Sequence, residues 1–190
     1  MARKSALLAP ALLASIALAL PLPPPASASA RTRCADATLL PSRANMARIR
    51  VATLCLLNAE RRKRGLAPLS SNGQLRKAAQ AFSANMVRQR FFDHVSPQGS
   101  TLRSRVGRTT YLSGRLGSWS LGENLAWGSG DRATPKRIVR SWMNSPGHRC
   151  NILDRSFRDI GIGVVIGAPD DVAGQRAATY TTDFGHRAVR

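Results

Sequence analysis

The most constraining feature of this chain is the order of its patterns: helical periodicity comes first and strand character comes last. The stretch "IGIGVVIGA" at 160–168 is rich in β-branched residues, with glycines on alternate positions, and reads as a strand. "PDDVAGQ" is a turn, and "AATYTTDFG" at 177–185 is a second strand. Ahead of this hairpin stand the helical stretches. Over 45–64, Ile49, Leu54 and Leu57 recur at helical spacing among Arg and Glu, and Gly65 is a natural stop. Over 73–89, Leu75, Ala78, Ala79, Phe82 and Met86 form an i, i+3, i+4, i+7 stripe whose alanines suggest close packing. Ser71 or Asn72 is available as its N-cap. A short helix is predicted at 101–107, capped by Ser100. Thr134-Pro135 opens a further helix with Ile138, Val139 and Trp142 on its apolar face, and Ser145-Pro146 ends it. Residues 109–131, rich in Gly and Ser around Trp119 and Trp127, show little periodicity and read as a functional or self-packed loop. Helices first and a hairpin last predict an α+β fold, with helices packed on an antiparallel sheet.

The first thirty residues follow a different logic. Arg3 and Lys4 precede an apolar run that ends in Ala28-Ser29-Ala30, the order of a secretory signal peptide cleaved after Ala30. Pro10 and Pro21 interrupt the run, so a spanning helix of ~20 apolar residues fits it poorly. No later stretch is apolar enough to span a bilayer. The expected organisation is a signal peptide at 1–30, an irregular lead-in at 31–44 and one domain at 45–190, secreted and extracellular. A mature piece of about 160 residues buries roughly 70% of its unfolded surface, enough for a real core.

The net charge is +19, and it bears on partners rather than on fold. Apart from "ERRKRG" at 60–65, the basic residues are scattered, as on a solvated surface. The sharper expectation is affinity for an anionic cell-envelope polymer or lipid. Aromatic residues make up only 5%, too few for an interleaved base-stacking surface, so nucleic acid is not an expected partner. Of the cysteines Cys34, Cys55 and Cys150, the first two lie close in sequence. In an oxidising compartment a Cys34–Cys55 bond would pin the N-terminus to the first helix and leave Cys150 over. No pair has the C-x-x-C spacing of a thiolate zinc or redox site.

Three segments carry candidate chemistry: "FFDHVSP" with His94, "SLGENLAWG" with Glu123, and "SPGHR" with His148. Each sits at a helix end or in a glycine-bearing loop, where function tends to be placed on a rigid scaffold. Two histidines and one carboxylate suit zinc or another divalent cation with one coordination position open. The same trio also reads as a hydrogen-bonded cluster that fixes three loops without touching a ligand. The helical H-E-x-x-H arrangement of metalloproteases is absent, and Ser145 lies near His148 without a G-x-S-x-G elbow. No catalytic residue is assigned.

The ordered set "LLNAERRKRGLAPL", "FFDHVSP", "GENLAWG", "SWMNSPGHRCNIL", "DIGIGVV" and "YTTDFG" resembles a bacterial SCP-like member of the CAP superfamily (cysteine-rich secretory proteins, antigen 5 and pathogenesis-related proteins). The resemblance covers residues 50 to 186. It implies an α–β–α sandwich, with helices on both faces of a small antiparallel sheet. It also implies a cleft lined in many members by two histidines and two glutamates that holds zinc or another divalent ion in some. His94, Glu123 and His148 match three of those positions. At the fourth, three residues beyond Trp142, stands Ser145, leaving Asp93 or Asp183 as replacements. The expected role is a secreted, non-enzymatic binding or interaction module. The alternatives are a metal-assisted hydrolase of peptide or ester bonds, and a structural cluster with function carried by the basic surface.

Overall fold

The computed structural model describes residues 34–170, 172, 174 and 176–189, so the expected signal peptide lies outside the described residues. Residues 34–44 form the irregular lead-in, pinned to the first helix by the expected Cys34–Cys55 disulfide, with Cα atoms 5.7 Å apart. Helix α1 (Met46–Arg62) and helix α2 (Gly73–Gln89) follow the predicted stripes. Asn72 caps α2, its side chain accepting from the N–H groups of Gln74 and Leu75 at 2.9 and 3.2 Å. Helix α3 (Leu102–Gly107) is capped by Thr101 rather than Ser100, through the Ser104 N–H at 3.2 Å.

A four-stranded sheet lies between the helices in the order β1 (Ser70–Ser71), β3 (Asp159–Ile166), β4 (Ala177–Val189), β2 (Leu116–Ser129). Two features differ from expectation. The sheet is mixed, because the two-residue β1 runs parallel to β3; a segment that short carries no periodicity to read. And β2 occupies most of the stretch read as a loop. It is an edge strand, exposed along its first half, and it buries polar residues such as Glu123 and Asn124. The apolar alternation that would announce a strand is therefore missing.

Alternation along β3 and β4 explains the layers. Ile160, Ile162, Val164, Ala178, Tyr180 and Phe184 join the main core with Leu57 of α1 and with Ile138 and Trp142 of helix α4 (Pro135–Asn144). Gly161 and Gly163 face the other way, onto α2. A Cβ on Gly163 would lie 2.4 Å from the backbone carbonyl of Ala79, so the alternate glycines let helix and sheet backbones touch. Helices thus cover both faces, as the sandwich requires.

The Ser145-Pro146 stop ends α4, as predicted, and also starts helix α5 (Pro146–Leu153), with proline in the first turn. Arg61 of α1 holds α5 in place. It is fully buried and donates to the carbonyls of Ile152 and Asp154 at 2.8 and 2.9 Å and of Phe157 at 3.3 Å. One arginine of the "ERRKRG" cluster is therefore an internal clamp for helix-end carbonyls rather than surface charge. Among the described residues no helix is long and apolar enough to cross a membrane.

Candidate functional site

The edge strand β2 divides the site into two halves. Leu121 and Leu125 pack toward α2 and α3, and Glu123 shares their face. Gly122 and Asn124 turn toward Phe157 and α5. Period-two alternation alone thus sends the carboxylate to one side and the amide to the other.

On the first side Glu123 is buried, with 6% of its surface exposed, and both carboxylate oxygens are engaged. Oε2 accepts from Arg105 Nη2 at 2.5 Å, and Oε1 meets His94 Nδ1 at 2.8 Å. Arg105, on α3, is buried as well. It donates through Nη1 to the carbonyls of His94 and Ser100 at 3.1 and 2.7 Å. Its guanidinium carbon lies 3.4 Å from the centroid of the Phe82 ring. One guanidinium therefore ties the 94–100 loop, α3 and β2 together, with charge-assisted bonds in a protected setting.

Beside Glu123, in register on β4, stands Asp183, wholly buried, with neither carboxylate oxygen hydrogen-bonded. Burial first, and then the Glu123 charge, push the Asp183 carboxyl well above the usual carboxylate range. The nearby Arg105 charge opposes this rise without cancelling it.

His94 reaches Glu123 from the loop after α2, with 57% of its side chain exposed. The hydrogen bond to Glu123 holds its pKa above the ordinary value. Asp93 beside it accepts from the Val95 N–H at 3.0 Å in a tight turn. On the other side of β2, Asn124 Nδ2 donates to the His148 carbonyl at 3.0 Å. Asn151 Nδ2 donates to the Glu123 carbonyl at 3.0 Å and to Asn124 Oδ1 at 2.9 Å. These bonds dock α5 against the edge strand. The half-buried His148 ring is pulled below its ordinary pKa, by burial first and then by the charge of His94.

The structure thus brings His94 and Glu123 into contact and fixes His148 through its main chain. Ser145 sits at the α4–α5 junction, half-buried, its hydroxyl capping neither helix. Of the two candidate replacement carboxylates, Asp93 lies in an exposed turn and Asp183 is wholly buried beside Glu123 on the neighbouring strand. Sequence reasoning missed Arg105, Asn124 and Asn151. A signal for Arg105 was present: it lies three residues after Leu102, on the helix face that Leu102 packs against the core.

The residues as arranged do not fit a divalent cation. Its anionic ligand would have to give up a buried guanidinium 2.5 Å away, and a second cation there would be repelled. Among the described residues, no group of three or more His, Cys, Asp or Glu side chains is gathered in a way that could hold a metal ion.

Residues 54–182 match the cysteine-rich secretory protein (CAP) family. By sequence the chain is 42% identical over 110 residues to the YkwD protein of Bacillus subtilis (strain 168), a match covering 58% of this chain and 40% of that protein. Among solved structures, it is similar to an extracellular protein containing a SCP domain from Bacillus anthracis str. Ames, with a TM-score of 0.55 and 27% identity, over 75% of this chain and 40% of the other. An outer surface protein of Borrelia burgdorferi shares the fold, with a TM-score of 0.60 and 19% identity, over 76% of this chain and 96% of that one. The chain therefore spans about two fifths of the length of the two Bacillus relatives.

Proposed function

Since this chain belongs to the cysteine-rich secretory protein family, we propose that it is an exported, non-enzymatic binding module that engages an anionic envelope component through its basic surface and the His94–Glu123–His148 cleft. The supporting observation is the filled state of Glu123. Arg105 takes one oxygen and His94 the other, so the carboxylate is committed to shaping the cleft rather than left free as a base or ligand. A satisfied buried network fixes the loops around it in one arrangement, which is what a recognition surface needs. The Cys34–Cys55 bond suits the oxidising side of a membrane, in keeping with the signal-like pattern ahead of it.

Binding of residues 31–190 to envelope preparations should fall steeply with salt, because released counterions drive it. Binding that is equal at low and high salt refutes the anionic partner. The metal and hydrolase alternative is tested on the same material by adding zinc near pH 7.5, where the histidines are neutral enough to ligate. A one-site heat lost in both His94→Ala and His148→Ala would replace the present reading and direct the search to hydrolysis.

A further inference from the structure

An open groove of about 970 Å³ lies between α2 and the segment 96–109, and neither His94 nor His148 lines it. It touches the cleft only through Arg105, whose charge is already matched by Glu123. Its volume is at the upper end of the range for ligand sites.

Three further cations line it: Lys77, Arg88 and Arg108. No carboxylate lines it, and none of the three belongs to an ion pair among the described residues. An unpaired arginine is ordinary in a chain with 29 basic and 10 acidic residues. Three cations around one concavity, without an acid in its wall, are a different matter. Two of them are held by neutral partners that position the guanidinium without cancelling its charge. Arg108 Nη2 donates to Ser100 Oγ and Arg88 Nη2 to Asn85 Oδ1, each at 2.8 Å. Gln98 Nε2 donates to Gln89 Oε1 at 2.7 Å and ties the loop to α2 near Arg88.

The spacing sets the shape of the ligand. Lys77 and Arg88 are eleven residues apart on α2, close to three full turns, so they share a face about 16 Å apart. A single phosphate cannot reach both, whereas an extended ligand with repeated anions can. The lining also carries Ser104, Asn85 and Gln98, polar side chains that suit hydroxyl groups, together with Ala81 and Phe82, while Ser96 is buried with its hydroxyl accepting from the Ser100 N–H at 3.0 Å. Phe82 is the one aromatic in the lining, and it is buried under Arg105, so nothing there stacks a base.

We infer that this groove binds a phosphodiester-linked polyol oligomer, its phosphates on Lys77, Arg88 and Arg108 and its hydroxyls on the serine and amide wall. The inference rests on the anionic-partner reading of the basic surface and places the anion in this groove, whose lining holds none of His94, Glu123 and His148.

The test is calorimetric or fluorescence titration of residues 31–190 with a short synthetic 1,3-linked oligo(glycerol phosphate). With three phosphates neutralised, affinity should fall about twentyfold between about 50 and 200 mM salt. The triple variant Lys77→Gln, Arg88→Gln, Arg108→Gln should lose at least about tenfold in affinity and most of the salt slope. A charge-matched triple variant at exposed positions outside the groove, Arg43→Gln, Arg62→Gln, Arg137→Gln, should bind nearly as the wild type does. Equal losses in the two triple variants would overturn the groove and leave only general charge. Equal or tighter binding of oligo(dT), or of phosphatidylglycerol vesicles, would overturn the polyol assignment. Loss of oligomer binding in the groove variant alone supports the inference even if envelope preparations fail to bind. Oligomer binding that survives in the groove variant overturns it, and salt-dependent envelope binding by the same variant then leaves the anionic partner standing.

Discussion

Arg105→Met is the most informative single substitution, because methionine keeps an apolar stem over Phe82 while removing the guanidinium. The Arg105 and Glu123 side chains are 6% and 3% exposed, so the variant leaves a buried carboxylate with the exposed His94 as its remaining side-chain partner. Breaking a buried pair from one side typically costs about 3–5 kcal/mol. The bonds to the His94 and Ser100 carbonyls add little, since both groups are only partly buried and water can replace the donor. Against a total stability of roughly 5–15 kcal/mol, the variant should still fold. Its Tm should drop by roughly 6–20 °C for a domain of this size. Urea unfolding at pH 7.5 measures the cost. The double variant Arg105→Met, Glu123→Gln then decides the cause: if the penalty is the orphaned charge, removing that charge recovers more than half of it. A cost below about 1 kcal/mol, or no recovery in the double variant, would refute the view that this pair anchors the cleft.

Two further outcomes follow from the same geometry. Gly163→Ala should cost about 1–3 kcal/mol or more, because its Cβ would meet α2 backbone at 2.4 Å. Gly147→Ala, with nothing within 4 Å of its Cβ, should be neutral or stabilising; equal urea midpoints for the two would contradict the close helix–sheet packing. The two cleft histidines should titrate on opposite sides of about 6.5 by NMR, His94 above and His148 below. The stability that His94 gains from Glu123 is fully present below pH ~6.5 and is lost as pH rises through its folded value. The His148 contribution is present above pH ~6.5 and is lost as pH falls through its depressed value. His94→Gln should therefore flatten the alkaline decline in Tm and leave the acidic one. Equal slopes on the alkaline side in wild type and variant would rule out the His94–Glu123 bond as their source.

How far the sequence carried this reading depended on which force placed each residue. Helices α1, α2 and α4 were legible because an apolar stripe facing a core has a period, and the core obliges. Strands β3 and β4 were legible for the same reason, and the Gly161 and Gly163 alternation even encoded how closely α2 would lie. Strand β2 escaped because an edge strand owes its place to hydrogen bonds with β4, which leave no mark on side-chain polarity, and because the residues it buries are polar. Helix α5 escaped because the proline read as a stop was also a start. The site shows the same division. His94, Glu123 and His148 stand out as rare polar residues close to glycine and proline signals, in a chain with three histidines and few acids. Arg105 is invisible by that criterion, one arginine among many, yet it decides whether Glu123 is a free carboxylate or half of a buried pair. In so basic a chain, composition hides the arginines that matter. Only burial separates Arg61 and Arg105, which are structural, from Arg88 and Arg108, which face solvent with their charge uncancelled. That separation is why the proposed anion site rests on Lys77, Arg88 and Arg108 rather than on the net charge.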